Sequence, residues 1–358
     1  MMPPGLVEFL GGAGPGEPVP GTPYWVLPGL VNAHDHLDFN LYPRLGHPPY
    51  ANSYEWGREV YRPEQEPICS ILRVTKRDRL RWGAYRNLLA GVTTVQHHNP
   101  WHWSIWNFPV RVPPYTWAHS LDSGRDWQGQ YQRSHQGRPF FIHGAEGVDT
   151  VAGQEVRVLA KRGLLGPSTV LIHGINLDEW AITQLRDTGA AVVWCPTSNF
   201  YLYGQTAPVR ELLAAGVPVA LGSDSTISGS ADLLCELQAA RRLGWLSDEA
   251  LYAMVTSAAS RILGQAQTTD FILVAAPGAQ TAAEALFQVN TETLHLVWGQ
   301  GRVLLAAEPL LPLVTGRLRP VGIDGRLRWI WGPLPELLRR TTARLGQRSY
   351  FEKRLTVV

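Results

Sequence analysis

Short, unbroken apolar blocks alternate with segments of helical spacing along most of this chain. Thr75 can cap a helix that carries Leu80, Ala84 and Leu88 and is stopped by Gly91. Val92-Thr93-Thr94-Val95 is β-branched and reads as a strand running into Gln96-His97-His98-Asn99. Further strands are predicted over 115–120, ending near His119, over 139–142, ending at His143, and over 169–172, ending at His173. Two more fall at 190–194 and 217–222, the second ending at Asp224. Helices fit between them: one with Val151, Val158 and Leu159, one capped by Asp178 and closed by Gly189, and one over 209–215 stopped by Gly216. Two more follow over 231–243 and 247–263. Strands that are apolar end to end and separated by helices argue for a parallel sheet covered by helices.

The two ends of the chain break this rhythm. Residues 1–24 are rich in turn formers, and the apolar run 24–31 then leads into His34-Asp35-His36. From 43 to 69 Pro, Tyr, Glu and Arg recur without a steady period. A loop that long inside a compact domain is usually functional, so a lid or pocket wall is expected there. After Thr268 the pattern changes to short strands at 271–274, 293–298 and 302–305. The division that follows is an N-terminal β segment over 1–27, a barrel over 28–266, the C-terminal part of a small β-sandwich-like unit over 267–315, and an Arg-rich extension over 316–358. In that extension a short helix is expected over 336–345, with solvated surface around it.

Composition narrows the class of protein. With 45% hydrophobic and 17% charged residues the balance is that of a soluble globular protein, and a net charge of +2 argues for neither nucleic acid nor an anionic membrane as partner. Cys69, Cys195 and Cys235 lie far apart with no Cys-x-x-Cys, which excludes a disulfide framework and a thiolate zinc module. Cys195 reads as a buried structural thiol. No signal-peptide pattern and no membrane-spanning run is visible, so the cytosol is the simplest compartment. A small molecule is then the expected partner, and a homodimer is compatible with the sequence.

The chemistry sits at the strand ends. His34 and His36 are two apart, and side chains two apart on a strand share a face, so both imidazoles can reach one ion. Among 11 histidines such a pair also arises by chance, and the later strand ends at His143, His173 and Asp224 are what give it meaning. Three nitrogen ligands and one carboxylate suit a borderline divalent ion, zinc first and ferrous iron second. Such an ion lowers the pKa of bound water from 15.7 to about 7, making hydroxide available at neutral pH. Functional groups at the C-terminal ends of parallel strands are the arrangement of a (β/α)8 TIM-like barrel. An open doubly wound sheet would usually show a Gly-x-Gly-x-x-Gly turn, and none is present.

Val31-Asn32-Ala33-His34-Asp35-His36, His143-x-x-Glu146, His173, Cys195-Pro196-Thr197-Ser198-Asn199 and Gly222-Ser223-Asp224-Ser225 together resemble the amidohydrolase superfamily. The similar branch is the one with cytosine, guanine and adenosine-type deaminases and triazine chlorohydrolases. The resemblance implies one metal ion on His34, His36, His143 and Asp224. It implies that Asp224 also accepts a proton from the attacking water, that Glu146 shuttles protons, and that His173 polarises the reacting group. One carboxylate on the metal and one off it suit this division of labour. Lys76 and Lys161 fall in helices, so a carbamate-bridged two-metal centre is not expected. Ser198 and Asn199 are expected to shape a turn. His97, His98 and His119, with Trp56 and Trp101, are candidates for substrate contact because they lie at strand ends or in loops facing the same mouth.

The implied activity is hydrolysis through a metal-bound hydroxide, with deamination of a nucleobase-like or other N-heterocyclic compound ahead of opening a cyclic amide or cleaving a carbon–halogen bond. A decayed barrel that only binds ligands is the reading from another class. The stretch between Val95 and His143 is short for two strand–helix units, so the barrel is expected to be distorted around its third and fourth strands, one of them very short near 109–112.

Overall fold

A computed structural model of the chain describes residues 1–121, 127–134, 138–265 and 268–358. The expected boundary at 266 and 267 lies outside the described residues. Two kinds of sheet organise the molecule. Leu30–Asp35 pairs in parallel with Val92–His97, and Thr116–Ala118, Phe140–Gly144, Thr169–His173, Ala191–Trp194 and Val219–Leu221 form a second parallel ladder in that order. These strands are buried at every position apart from Trp117, as their unbroken apolar pattern requires.

The short third strand is reduced to a single bridge. Arg111 donates its N–H to the Thr93 carbonyl at 2.7 Å and accepts from the Val95 N–H at 2.9 Å. The fourth strand, Thr116–Ala118, is also brief. At the opposite limit the Asp224 N–H reaches the His34 carbonyl at 3.1 Å, which brings the last parallel strand back to the first.

Capping chemistry sets the helices between these strands. Thr75 accepts from the Asp78 N–H at the start of Lys76–Leu88. Asp178 does the same for Glu179–Thr188, which closes on Gly189 at φ 73°. The periodic run 247–263 is not one helix: it breaks at Val255 and Thr256 into Asp248–Met254 and Ser257–Ile262. There the Val255 carbonyl accepts instead from the Val31 N–H of the first barrel strand at 2.8 Å.

The termini do combine, but into one eight-stranded antiparallel sheet. Tyr24–Pro28 pairs with Phe271–Ala275, and Leu294–Gly299 and Arg302–Ala307 follow. The Arg-rich end is more structured than its charge suggests. It adds Leu318–Ile323, Arg326–Trp331 and Leu355–Val357 to that sheet and the helix Leu334–Leu345 beside it. Several of its charges are paired with the rest of the molecule: Arg340 pairs with Asp78 at 2.8 Å, Lys353 pairs with Asp232 at 3.0 Å, and Arg328 donates to the Thr291 and Glu292 carbonyls. Trp82 of the barrel stacks on Tyr350 with ring centroids 4.0 Å apart, joining the C-terminal segment to the barrel core.

Candidate active site

Three parallel strands and the turn after a fourth deliver the charged and imidazole groups to one point. From the first strand come His34 and His36, rings 4.9 Å apart between centroids. The Phe140–Gly144 strand brings His143, whose Nε2 lies 3.3 Å from His34 Nε2. Asp224, just past Val219–Leu221, places Oδ1 3.7 Å from His34 Nε2 and 3.9 Å from His36 Nε2. An ion held tetrahedrally by bonds of about 2.1 Å has ligand atoms about 3.4 Å apart. The observed separations suit such an ion, and the donor set of imidazole nitrogen and carboxylate oxygen is chemically right for one.

Burial, and after it the neighbouring imidazoles His36 and His173, hold His34 well below the usual imidazole range; burial and His98 do the same for His143. Both are therefore neutral and have a lone pair to offer. Burial pushes the Asp224 carboxyl up, but the combined pull of His36, His173, the Ser228 hydroxyl and the Ser225 N–H wins, and the net shift is downward. Ser198 and Ser228 donate to Oδ2 at 2.9 and 2.8 Å, and the Ser225 N–H donates to Oδ1 at 2.7 Å.

The second carboxylate is in the opposite state. Burial raises Glu146 above the ordinary range, although His173 and Tyr203 oppose the shift. Its Oε1 accepts from the Tyr203 hydroxyl at 2.8 Å and lies 3.6 Å from His173 Nε2. His173 is aimed by Asn199, whose Oδ1 is 2.9 Å from its Nδ1. That contact leaves Nε2 toward Glu146, His34 and His143. His173 and Asp224 both hold left-handed backbone, φ 74° and φ 50°. Such angles at non-glycine residues cost energy and concentrate where a side chain must be aimed.

The cavity over these groups has a volume of about 270 Å³. Its far wall is the segment expected to act as a lid, which contains a helix, Ser53–Val60, not foreseen from its irregular pattern. Asn52 caps that helix by accepting from the Glu55 N–H. Tyr54, Trp56 and Tyr61 face the cavity, as do Phe39 and Tyr42 from the turn after the first strand. The helix start is docked on the loop that carries Glu146: the Ser53 N–H reaches the Glu146 carbonyl at 3.1 Å, and the Val148 N–H reaches the Ala51 carbonyl at 2.8 Å. Gly147 is needed at this junction, because a Cβ there would lie 2.5 Å from the Ala51 carbonyl oxygen. Below it, Glu155 accepts from the Tyr54 hydroxyl and from the Ala145 N–H.

Of the candidates for substrate contact, His119 and Trp56 line this cavity. The others are placed elsewhere. His97 is buried against the first strand, its Nδ1 accepting from the Leu37 N–H at 3.3 Å. His98 packs against His34 and His143, with ring centroids 5.2 and 4.3 Å away, and its Nε2 is bonded to the Ala118 carbonyl. Strand neighbours point to opposite faces, so only one of the pair, His98, turns toward His34 and His143, and neither lines the cavity. Trp101 is 57% exposed and borders a separate hollow with Trp106 and Phe108 beside the shortened strands. Cys195 is buried, and burial raises its thiol, as an unreactive structural cysteine requires. The groups that sequence reasoning passed over are Tyr203, Ser228 and Glu155, which act on the site through another residue and belong to none of the motifs.

Residues 141–269 match the model of the amidohydrolase family. That stretch contains His143, Glu146, His173 and Asp224, while His34 and His36 precede it. Curated proteins are similar over parts of the chain. A 5-methylthioadenosine/S-adenosylhomocysteine deaminase of Haloquadratum walsbyi is 38% identical over 138 residues, 37% of this chain and 30% of that protein. An 8-oxoguanine deaminase of Pseudomonas aeruginosa is 34% identical over 136 residues, 36% of this chain and 29% of that protein. The matched region thus spans less than a third of either relative. Among solved structures, the atrazine chlorohydrolase of Arthrobacter aurescens complexed with zinc superposes with a TM-score of 0.66, covering 90% of this chain and 88% of that one at 18% identity. At that identity the likeness is one of fold, and it gives the parallel strands a TIM-barrel architecture.

Proposed function

We propose that the chain is a metal-dependent hydrolase that deaminates a small, uncharged N-heterocyclic compound, on a distorted (β/α)8 barrel over 28–266. The observation that carries this reading is the convergence of His34, His36, His143 and Asp224 beside a second carboxylate, Glu146, of opposite pKa shift. His34, His36, His143 and Asp224 would hold one divalent ion, zinc before ferrous iron. When bound, the ion supplies Lewis acidity and a nucleophilic water at neutral pH.

The protein's own groups do the rest. Asp224, kept ionised, can take the first proton from the attacking water. Glu146, with its raised pKa, is suited to receive a proton and return it to the leaving amine. Tyr203 holds the Glu146 carboxyl in place, and His173, aimed by Asn199, faces the same point to polarise the reacting carbon–nitrogen bond. The aromatic walls fit a flat ring. No lysine or arginine is among the described residues lining the cavity, so no side chain of fixed positive charge there offsets a phosphate or carboxylate on the substrate. The names of the deaminase relatives support the same reaction.

The test is a panel of neutral purines, pyrimidines, thioether nucleosides and triazines incubated with zinc- or iron-reconstituted protein, with ammonia as the readout. Ammonia from one of the neutral rings is expected, with far slower release from its 5′-phosphorylated counterpart. Ring opening or halide release without ammonia would move the assignment to the alternative hydrolysis. A protein that takes up no stoichiometric ion would leave the binding-protein reading in its place.

A further inference from the structure

The first and last parallel strands meet without a ladder. Among the described residues the backbone link at that seam is the single bond from the Asp224 N–H to the His34 carbonyl. Yet this seam joins the two halves of the metal-ligand set, the histidine pair on one side and the carboxylate on the other. Gly222 lets the strands come close, since a Cβ there would lie 2.7 Å from His34 Cβ. What holds the seam is a network of buried polar side chains.

Arg86, on the helix Lys76–Leu88, is 1% exposed. Its guanidinium donates to Asp35 Oδ2 at 2.9 Å, on the residue between the two ligand histidines. It also donates to the carbonyl of Asp224 at 2.7 Å, of Ser230 at 2.9 Å and of Ala231 at 2.8 Å. Asn87, the next residue, donates to the same Asp35 oxygen at 2.7 Å and accepts from Asn32 Nδ2 at 2.8 Å. Asn32 crosses the seam again, bonding the Ser223 hydroxyl at 2.8 Å and accepting from the Ser223 N–H at 3.0 Å.

We propose that Arg86, with Asp35 as its counter-charge, is a positioning residue that sets the distance between the His34–His36 pair and Asp224, and thereby the affinity of the metal site. The proposal rests on the metal-site reading given above. One planar cation reaches both ligand segments at once, a task its fixed fork of donors suits and a lysine ammonium does not. Groups that orient metal ligands from behind typically change metal affinity 10–100-fold when removed.

The experiment compares the full-length parent with Arg86→Lys, Asp35→Asn and the double variant Arg86→Met/Asp35→Leu. The double variant removes both charges together, which buried ion pairs tolerate far better than loss of one partner. Asp35→Asn is the milder change, because Arg86 keeps its three carbonyl partners. Zinc affinity is measured by chelator competition, thermal unfolding is followed on the metal-free proteins, and metal-free crystals report the His34 Nε2 to Asp224 Oδ1 distance, 3.7 Å in the parent. The expected result is zinc binding weakened about 10–100-fold in the double variant and Arg86→Lys, and less in Asp35→Asn, with that distance widened and the metal-free double variant still unfolding cooperatively, at a midpoint lowered by the loss of the bonds Arg86 makes to three carbonyls. Zinc affinity and ligand spacing both unchanged in folded variants would overturn the proposal. So would a loss confined to thermal stability. If the parent itself binds no zinc, the functional reading fails, and the ligand spacing in the variants still decides the role of Arg86.

Discussion

The two sides of the candidate metal site are built by different means. His143 and His173 stand on Phe140–Gly144 and Thr169–His173, joined to each other and to Ala191–Trp194 by regular parallel ladders. Their positions follow from backbone pairing; Asn199 then orients His173, and Tyr203 holds Glu146 in the loop after the His143 strand. His34, His36 and Asp224 meet across a seam with almost no backbone pairing, where Arg86, Asn87 and Asn32 take the place of a ladder. A ladder tolerates side-chain change because its bonds are made by the main chain. A seam of side chains has no such reserve. Outside the four proposed ligands themselves, the same substitution size should therefore act on chemistry when made on the ladder side and on ion binding when made on the seam side.

The largest effect should come from Glu146→Gln, on the ladder side. Loss of the proton shuttle is expected to lower turnover about 10²–10⁴-fold while the zinc content stays at the parental level. Parallel loss of zinc would show that the two sides are not separable. Asn199→Ala should be next. Freeing the ring of His173 from its 2.9 Å partner removes a buried hydrogen bond worth about 1–3 kcal/mol, or roughly tenfold or more in kcat/KM, again with chelator competition unchanged. Tyr203→Phe removes one hydrogen bond to Glu146 of about 0.5–1.5 kcal/mol, so a fall in turnover of about two- to tenfold is expected, with Glu146→Gln/Tyr203→Phe no worse than Glu146→Gln alone. Additive losses in that pair would mean that Tyr203 acts on something other than Glu146.

The smallest effect concerns stability against pH. Glu155 is pushed up to about 7 by burial, against an ordinary value of 4.5, with its hydrogen bonds from Tyr54 and Ala145 opposing. A carboxyl raised in the folded state lends stability that is complete below 4.5 and is lost as pH climbs through 7. Glu155→Gln should therefore lose less unfolding midpoint than the parent between pH 5 and 7.5. Equal pH slopes in the two proteins would show that Glu155 titrates normally. Glu236, also raised to about 7 by burial, adds a similar dependence and serves as a control from outside the lid contact.

Much of this arrangement was legible in the sequence, because it depends on local pattern. His34, His36, His143, His173 and Asp224 are at strand ends as the apolar blocks foretell, and Thr75 and Asp178 cap the helices that their positions suggest. The short strand near 109–112 was also readable, from the spacing alone. What could not be read depends on distant partners. Nothing local to Arg86 distinguishes it from Arg79 or Arg81 on the same helix; only its neighbours in space do. His97 and His98 share the strand-end position of His34, His143 and His173, and the face they take is settled by register, which one strand does not reveal. The helix Ser53–Val60 has no buried residue to impose a period, so its aromatic face emerges only when the cavity beneath it is known.

That helix has a mechanical consequence. It rests on the Glu146 loop through main-chain bonds, and the Ser53 N–H that holds it down is bonded to the carbonyl of Glu146 itself. A movement that lifts the start of the helix away from the loop must break that bond, so the aromatic wall and the main chain of the Glu146 loop shift together, while Tyr203 holds the Glu146 carboxyl from the other side.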